Sequence, residues 1–430
     1  MALKIIHITA SYKPAYIYGG PIQSVGKLCE ELCKNKEQGA KREENVLETK
    51  DQRLKTKDQV AESQVHKPKS NKIQVAEDSI QVFTTVANGK YELNVETGKQ
   101  QNVDGVPVSY LKRWTKDHSH FSPGLLIRLR SEIIRHAQDD KLVIHIHAWW
   151  NLVSVLSCLV AKWYKIPVIL SPRGMLTAYT QTNRNSIAKK IIHKSFGKRL
   201  LQYCHIHATS NQEQADILEI IQPNSITVIP NLVNLAEGIE RKAHTEADFF
   251  KLIFLSRIEE KKGLELLFDA LSSIEIPWVL TIAGGGEESY VKKLEQKADN
   301  LKLGDRINWV GQISNEKKFS IMADHDLLVL PSHNENFANV VVESLGVGTP
   351  VLVSKNVGLA DYVKNNELGW ICSITSESIQ DNLRNAFNDS QKRKSIRNSA
   401  PSIIRKDFCD DTLVEKYFEL YKRISNKNVG

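Results

Sequence analysis

An α/β protein of two doubly wound domains is what the 430-residue sequence predicts. Three observations predict it. Short apolar runs rich in β-branched residues recur almost throughout the chain. Segments of helical period separate these runs. A polar stretch divides them into two sets.

The first set comprises LKIIHIT (3–9), LVIHIH (142–147), PVILS (167–171), CHIHATS (204–210) and ITVIP (226–230). The second comprises KLIFLS (251–256), WVLTIAG (278–284), RINWVG (306–311), DLLVLPS (326–332) and PVLVS (350–354). Strands this uniformly apolar are buried on both faces, as in a parallel sheet covered by helices. Strands and helices alternating along one chain mean a doubly wound α/β arrangement.

The polar stretch NLAEGIERKAHTEADF (234–249) has no clear strand and reads as a linker. A first domain is therefore expected over 1–233 and a second over 250–406. A closing segment over 407–430 contains the amphipathic LVEKYFELYKRI (413–424), free to pack on either domain, including back on the first. Residues 35–78 break the pattern: they are dense in Lys, Glu, Asp and Gln. TKDQ occurs there at 49–52 and 56–59, but two copies without a sustained apolar seam do not make a coiled coil. The stretch reads as a low-complexity insertion without chemistry.

Apolar content of 41% and charged content of 25% are those of a globular protein. The net charge of +8 points to an anionic partner without choosing one. Six scattered cysteines form no C-x-x-C pair and favour a reducing compartment. MALKIIHITA has too short an apolar run for a signal peptide, and Leu152 to Ala161 is too short to span a bilayer. The expectation is a cytoplasmic protein. NRNSIAKKIIHKSFGKRLLQ (183–202) carries six cations and no acid among apolar residues, so it is equally a solvated helix face or an anchor on anionic lipid. FSPGLLIRLR (121–130) would extend that surface.

Chemistry concentrates where strands run into helices. PSHNENFANVVVESLGVGTPVLVS (331–354) leads from one apolar run into a helix and then another run, with Glu335 before the helix and Glu343 inside it. Ligands of open α/β sheets bind at the carboxyl ends of strands. A helix starting near Phe337 or Ala338 would point backbone N–H groups and a partial positive charge into that crevice, a ready phosphate site. An acid on either side of the helix start suits a nucleotide-sugar. SRIEEKKGLELLFDAL (256–271) brings Arg257 and Lys262 to a similar turn, as a fork and a point charge for a diphosphate. AGGGEE (283–288) permits close backbone approach at a third such turn through Gly284 and Gly285. No strand is followed by G-x-G-x-x-G, which argues against a dehydrogenase.

These motifs together resemble the retaining glycosyltransferases of the GT-B fold, family 4, and most closely bacterial members that build surface polysaccharides. The signatures are S-R-x-x-x-K-K-G, A-G-G-G, and E-N-F-x-N-x-x-x-E followed by G-T-P-V. YGGPIQSV (18–25), HIHAWWN (145–151), SPRGML (171–176), HATSNQEQ (207–214) and IPN (229–231) follow in the first half. The resemblance covers nearly the whole chain apart from 35–78. It implies two Rossmann-like domains facing a cleft, the first binding acceptor and the second a nucleotide-diphospho-sugar.

By position, the resemblance places Glu335 at the donor hexose, Glu343 at the ribose, and Arg257 with Lys262 at the diphosphate. Backbone near Phe337, Ala338 and Asn339 would cradle the distal phosphate, which Gly19 and Gly20 would approach from the first domain. His147 would sit beside the reacting sugar, with Arg173 also in the cleft. Three positions depart from the family pattern. Ala338 and Ala148 replace common glycines, and Asn231-Leu232-Val233-Asn234 replaces N-G-V-D.

The implied reaction moves a hexose to an acceptor hydroxyl with retention, the acceptor being a lipid-linked or growing surface polysaccharide. No cofactor, metal or nucleic acid is expected. Asp324 and Asp326 of DHD imitate a manganese motif, but Asp326 opens a strand at the end away from the crevice. Two alternatives use the same fold: a nucleotide-sugar epimerase, and a protein that binds a nucleotide-sugar without turnover.

Overall fold

The computed structural model describes residues 3–35, 79–136, 141–177, 197–236 and 249–426. Most of the insertion, most of the linker and most of the basic segment 183–202 lie outside these residues.

Sixteen strands are present among the described residues. In the first half they are β1 (Leu3–Ile8), β2 (Ser79–Thr85), β3 (Ala87–Asn88), β4 (Tyr91–Glu92), β5 (Gln100–Val103), β6 (Val106–Leu111), β7 (Lys141–His147), β8 (Val168–Ser171), β9 (His205–Ala208) and β10 (Ile226–Val228). In the second half they are β11 (Phe250–Leu255), β12 (Trp278–Ala283), β13 (Ile307–Gly311), β14 (Leu327–Leu330), β15 (Val351–Ser354) and β16 (Gly369–Cys372).

The first sheet has the order β10-β9-β8-β7-β1-β2-β6-β5, parallel except for β5 against β6. The second has the order β13-β12-β11-β14-β15-β16 and is wholly parallel. Every residue of β1, β14 and β15 is buried, as continuous apolar runs require. The fold is therefore two Rossmann-like α/β bodies.

All ten expected runs form strands. Others escaped the sequence reading. β5 and β6 form a hairpin joined by Asp104-Gly105, both with positive φ (52° and 83°), where Val103 pairs with Val106. Asp-Gly is the residue pair that a tight two-residue hairpin favours. The flanks QQNV and VPVSYL mix polar residues into the pattern and mask it. β16, GWIC, is too short to stand out.

Each sheet reverses its strand order once. In the first, the chain builds outward from β1 through β2 and β6, then returns to place β7 on the other side of β1. In the second, it builds from β11 to β13 and returns with β14 beside β11. A crevice opens at the carboxyl ends of such a pair, so topology puts ligand sites after β1 and β7 and after β11 and β14.

The closing helix, Asp410–Ser425, settles on the first sheet. Leu413, Val414, Tyr417, Leu420, Tyr421 and Ile424 pack with Leu3, Ile5, Val143 and Ile169. Its apolar stripe completes the cover on that face, beside Leu28 and Leu32 of the helix that begins at residue 20.

Candidate active site

The turn after β11 carries three cations. Arg257 lies two residues beyond the strand end. Its Nη1 stands 2.5 Å from a Glu259 oxygen, and its side chain is half-exposed. A single 3-10 turn, Glu260–Lys262, follows before the helix Leu264–Ser272. Lys262 is buried and donates to the Glu335 carboxylate. Burial, with Lys262 alongside, pushes the Lys261 ammonium below the ordinary lysine range.

Glu335 stands on the loop after β14. Its backbone is pinned there: Glu335 N donates to Asn356 O at 3.1 Å, and Gly358 N donates to Glu335 O at 2.8 Å. This fixes the carboxylate against Lys262. The helix Asn339–Gly346 starts three residues after Asn336. Phe337 faces the core, edge-on to Phe408, so only its main chain can serve the crevice. Ala338 caps the helix at φ 68°, the left-handed region. Its replacement of glycine therefore falls where a Cβ is least welcome.

Glu343 differs from expectation. The sequence reading opened it to a ribose. In the structure it is buried, and Lys318 Nζ approaches its carboxylate at 2.6 Å. Burial raises its pKa while Lys318 opposes that shift. The fourth residue after a helix start points back along the helix, here into the neighbouring helix Asn315–Ala323.

Gly284 also differs in its reason. At φ 147°, a Cβ there would stand 1.8 Å from Ser256 O. The missing side chain lets the turn after β12 press on the turn bearing Arg257. Gly285 has only Gln312 near its Cβ position, at 3.9 Å, and is the open member of the pair.

The first lobe's reversal point is built from neutral rings. His147 ends β7, buried, and the sequence placed it beside the sugar. Instead both ring nitrogens are occupied: Nε2 by His7 Nδ1 at 2.9 Å, and Nδ1 by Arg173 Nε at a long 3.4 Å. A guanidinium can only donate, so His147 Nδ1 accepts and its proton sits on Nε2, facing His7. Desolvation, with Arg173 nearby, holds His147 well below the usual histidine range and His7 down to about 3. Both rings stay neutral.

A second array has one direction. His207 Nε2 lies 2.9 Å from the carbonyl of Ile229, an acceptor only, so that nitrogen carries the proton. His207 Nδ1 then accepts from the Ser171 hydroxyl at 2.6 Å. Ser171 Oγ in turn accepts from His145 Nε2 at 2.6 Å, and His145 Nδ1 accepts from the Tyr421 hydroxyl at 2.8 Å. Three adjacent strands and the closing helix are joined by this chain.

His7, His145 and His147 bring ring nitrogens within 4.8 Å of one another, the arrangement a metal would use. The donor set fits one poorly. The rings engage each other, Ser171, Tyr421 and Arg173, and the last is a cation already in place. His7 carried no sequence signal beyond its register, in which it pairs directly with His145.

The lobes meet at these two points. Gly19, at φ 70°, lies against Arg257: a Cβ would stand 3.1 Å from Nε. Gly20 opens the first helix with free space beside it. Arg173, itself at φ 52°, donates from Nη1 to Ser24 Oγ at 3.0 Å and to Asn231 Oδ1 at 2.9 Å. Asn231 Nδ2 then donates to Asn339 Oδ1 at 3.1 Å, at the first residue of the helix Asn339–Gly346. Asn336 ties the same loop to Thr209 and Ser210 at 2.8 and 3.1 Å. Buried Glu213 holds that side by accepting from the N–H groups of Gly174 and Thr209, both at 2.7 Å.

Gly19, Arg257, Lys262, Glu335 and Asn339 thus share one seam, with Arg173 behind it. Asn231, Asn336, Lys261 and Glu213 were missed as individuals, although the quoted motifs contain all four. Asp326 fills a structural place: its carboxylate accepts from Lys251 N at 2.9 Å, at the amino edge of the sheet.

Two family models match end to end. Residues 76–237 match Glycosyltransferase Family 4 and residues 236–402 match Glycosyl transferases group 1. An uncharacterised glycosyltransferase of Methanocaldococcus jannaschii is 24% identical, over 75% of this chain and 86% of that one. In three dimensions, sucrose-phosphate synthase of Thermosynechococcus elongatus aligns with a TM-score of 0.69 at 16% identity, covering 98% of both chains. HepE of Anabaena, solved in complex with UDP-glucose, aligns at 0.65 and 18% identity over 98% of this chain and 99% of its own. At such identities the structural likeness speaks for the fold.

Proposed function

Because the chain belongs to the GT-B glycosyltransferases of family 4, matched by one model in each half, we propose that it moves a hexose from a nucleotide-diphospho-sugar to an acceptor hydroxyl with retention at the anomeric carbon. The observation that carries this reading is the seam itself. Arg257, Lys262 and a helix start from one lobe meet Gly19 from the other, with Glu335 bound to Lys262.

In this reading the diphosphate lies between Arg257, Lys262 and the first turn of helix Asn339–Gly346. The bond from the anomeric carbon to the phosphate oxygen breaks, and negative charge grows on that oxygen. The two cations and the helix start stabilise it without reorganising. The acceptor oxygen bonds to the same carbon from the same face and gives its proton to the departing phosphate. Glu335 orients the hexose while it holds Lys262. Glu343 reaches a ribose only by sharing its carboxylate with Lys318. Arg173 and His147 act as positioning residues, through Asn231 and Asn339.

No step needs a metal, since fixed cations already meet the charge. The acceptor is a lipid-linked or growing surface polysaccharide, met at the inner face of an anionic membrane. Exposed Ile127, Ile134, Leu159 and Trp163 support the peripheral contact, with Arg130 and Lys162 beside them on the same two helices. No helix among the described residues is long and apolar enough to cross a membrane.

The test is a thermal-shift screen of UDP- and GDP-sugars, followed by transfer with the best donor in the presence of EDTA. Ligand at a hundred times its dissociation constant adds about 2.7 kcal/mol of stability. The anomeric proton coupling of the product must match that of the donor. An inverted product, loss of turnover in EDTA, or an isomerised donor without transfer would each remove part of the reading, the last in favour of an epimerase.

A further inference from the structure

Apart from Leu218, the exposed large apolar side chains on the first lobe fall into two groups, and topology separates them. Leu159 and Trp163 lie towards the end of the helix Leu152–Trp163, which begins after β7 and runs back toward the amino edge of the sheet. Tyr16, Ile17, Tyr91 and Trp114 lie at the opposite edge. They occupy the loops that follow β1, β2 and β6, three adjacent parallel strands. Those loops leave the carboxyl edge together, where ligands bind.

The exposure is large: 45% for Tyr16, 58% for Ile17, 77% for Tyr91 and 75% for Trp114. Such a group in one place marks a binding surface, unlike apolar residues scattered singly. The platform under it is rigid. Gly89 N donates to the Tyr18 hydroxyl at 2.9 Å, joining the first loop to the β3–β4 hairpin. Arg113, buried, donates to Tyr91 O at 2.9 Å and to Gly89 O at 3.4 Å. Its neighbour Trp114 donates its N–H to Phe121 O at 2.7 Å and packs edge-on to that ring. A buried cation shared among two loop carbonyls, the Glu92 carboxylate and His120 fixes the loop's shape.

The ridge is continuous with the donor seam. Gly19 N donates to Tyr16 O at 2.9 Å, and Gly19 is the residue against Arg257. An occupant of the ridge therefore lies one short turn from the reacting phosphate. Three of the four residues are Tyr or Trp, flat rings with a polar tip, which suit a ligand with an apolar face and a polar rim. A pyranose ring has that form: C–H groups on its face and hydroxyls around its edge.

We propose that Tyr16, Ile17, Tyr91 and Trp114 form the acceptor subsite, on which a sugar ring of the acceptor lies flat. This rests on the transferase reading and adds the acceptor's chemistry to it: a saccharide terminus held by stacking, not by charge.

The test compares wild type with Tyr91→Ala/Trp114→Ala and with Trp163→Ala, all exposed positions. Each is titrated with methyl α- and β-glucosides, galactosides and mannosides, observed by saturation-transfer NMR. Each is also mixed with vesicles of phosphatidylglycerol and phosphatidylcholine. The expected result is transfer to the ring C–H protons of at least one glycoside in wild type and Trp163→Ala, weakened at least tenfold in the double variant. An unchanged signal in the double variant overturns the subsite, and so does no signal with any glycoside in wild type. Loss of vesicle binding in the double variant, with glycoside binding intact, assigns the ridge to lipid instead. Donor binding is read separately. If no nucleotide-sugar shifts the melting of wild type, the transferase reading falls, while the glycoside result still decides the ridge.

Discussion

The two reversal points of the molecule share a topology and differ in chemistry. After β11 and β14 the second lobe gathers Arg257, Lys261, Lys262, Glu259 and Glu335, charged groups paired across two neighbouring loops, with Lys262 the buried one. Within β1 and β7 themselves the first lobe gathers His7, His145 and His147, neutral rings packed away from solvent. Strand order decides where a site opens. Side chains decide what it does there. A charged cluster would meet the proposed diphosphate with cations already in place. The neutral rings hold shape, and His147 alone of the three passes it on, through Arg173 to Asn231 and Asn339.

The largest expected effect breaks the charged side. Lys262→Ala and Glu335→Ala should each lower turnover by about a hundred- to a thousandfold, the loss typical of one preorganised charge-stabilising group. Circular dichroism should report an unchanged fold. As the contrasting arm, Ser171→Ala interrupts the neutral chain and leaves His145 Nε2–H and His207 Nδ1 without their shared partner. Unmet buried groups cost about 1–3 kcal/mol each, so urea unfolding should shift while nucleotide-sugar affinity does not. If the two arms behaved alike, the division of labour between the lobes would be wrong.

Next is a pH effect that is largest in the first lobe. His7 and His207 are lowered to about 3 and His120 to about 4, chiefly by burial. An unfolded histidine titrates near 6.5. Between that value and the folded one, the unfolded chain binds protons that the native chain refuses. Stability therefore falls as pH drops below about 6.5, by up to about 1.4 kcal/mol per unit for each such ring, and levels off near pH 3 to 4. Urea midpoints measured between pH 7 and pH 5 test this. His7→Phe should flatten the slope, whereas Lys262→Ala should leave it in place.

The smallest effect compares the two lobes at a matched position. Ala148 and Ala338 stand at φ 70° and 68°, the first directly after β7 and the second at the start of the helix Asn339–Gly346, and the family resemblance has glycine at both. A left-handed alanine costs roughly 1–2 kcal/mol, and glycine loses roughly 0.5–1 kcal/mol in chain entropy. Ala148→Gly and Ala338→Gly should each raise stability by about 0–1.5 kcal/mol, read as a small rise in Tm. A fall at either site would show that its Cβ packs well enough to repay the strain.

Much of this was legible in the residues. Continuous apolar runs gave ten strands because burial on both faces leaves no polar alternation to confuse. The β5–β6 hairpin was not read, although Asp104-Gly105 was its turn signal, because its strands carry Gln, Asn and Pro. Arg257, Lys262 and Glu335 were legible as charges at strand ends. Glu343 was legible as an acid, but its burial against Lys318 was not, since that depends on a helix 25 residues away.

By itself, then, the sequence determined ten of the sixteen strands described, the helix starts at the site and the charged turns, all set by spacings of a few residues. Tertiary structure alone decided that Gly19 meets Arg257, that His7 lies beside His145, and that Arg173 reaches Asn339 through Asn231. Those contacts follow from strand order and from the closing of two lobes. Neither leaves a periodic mark, because the partners are brought together by sheet topology and not by nearness along the chain.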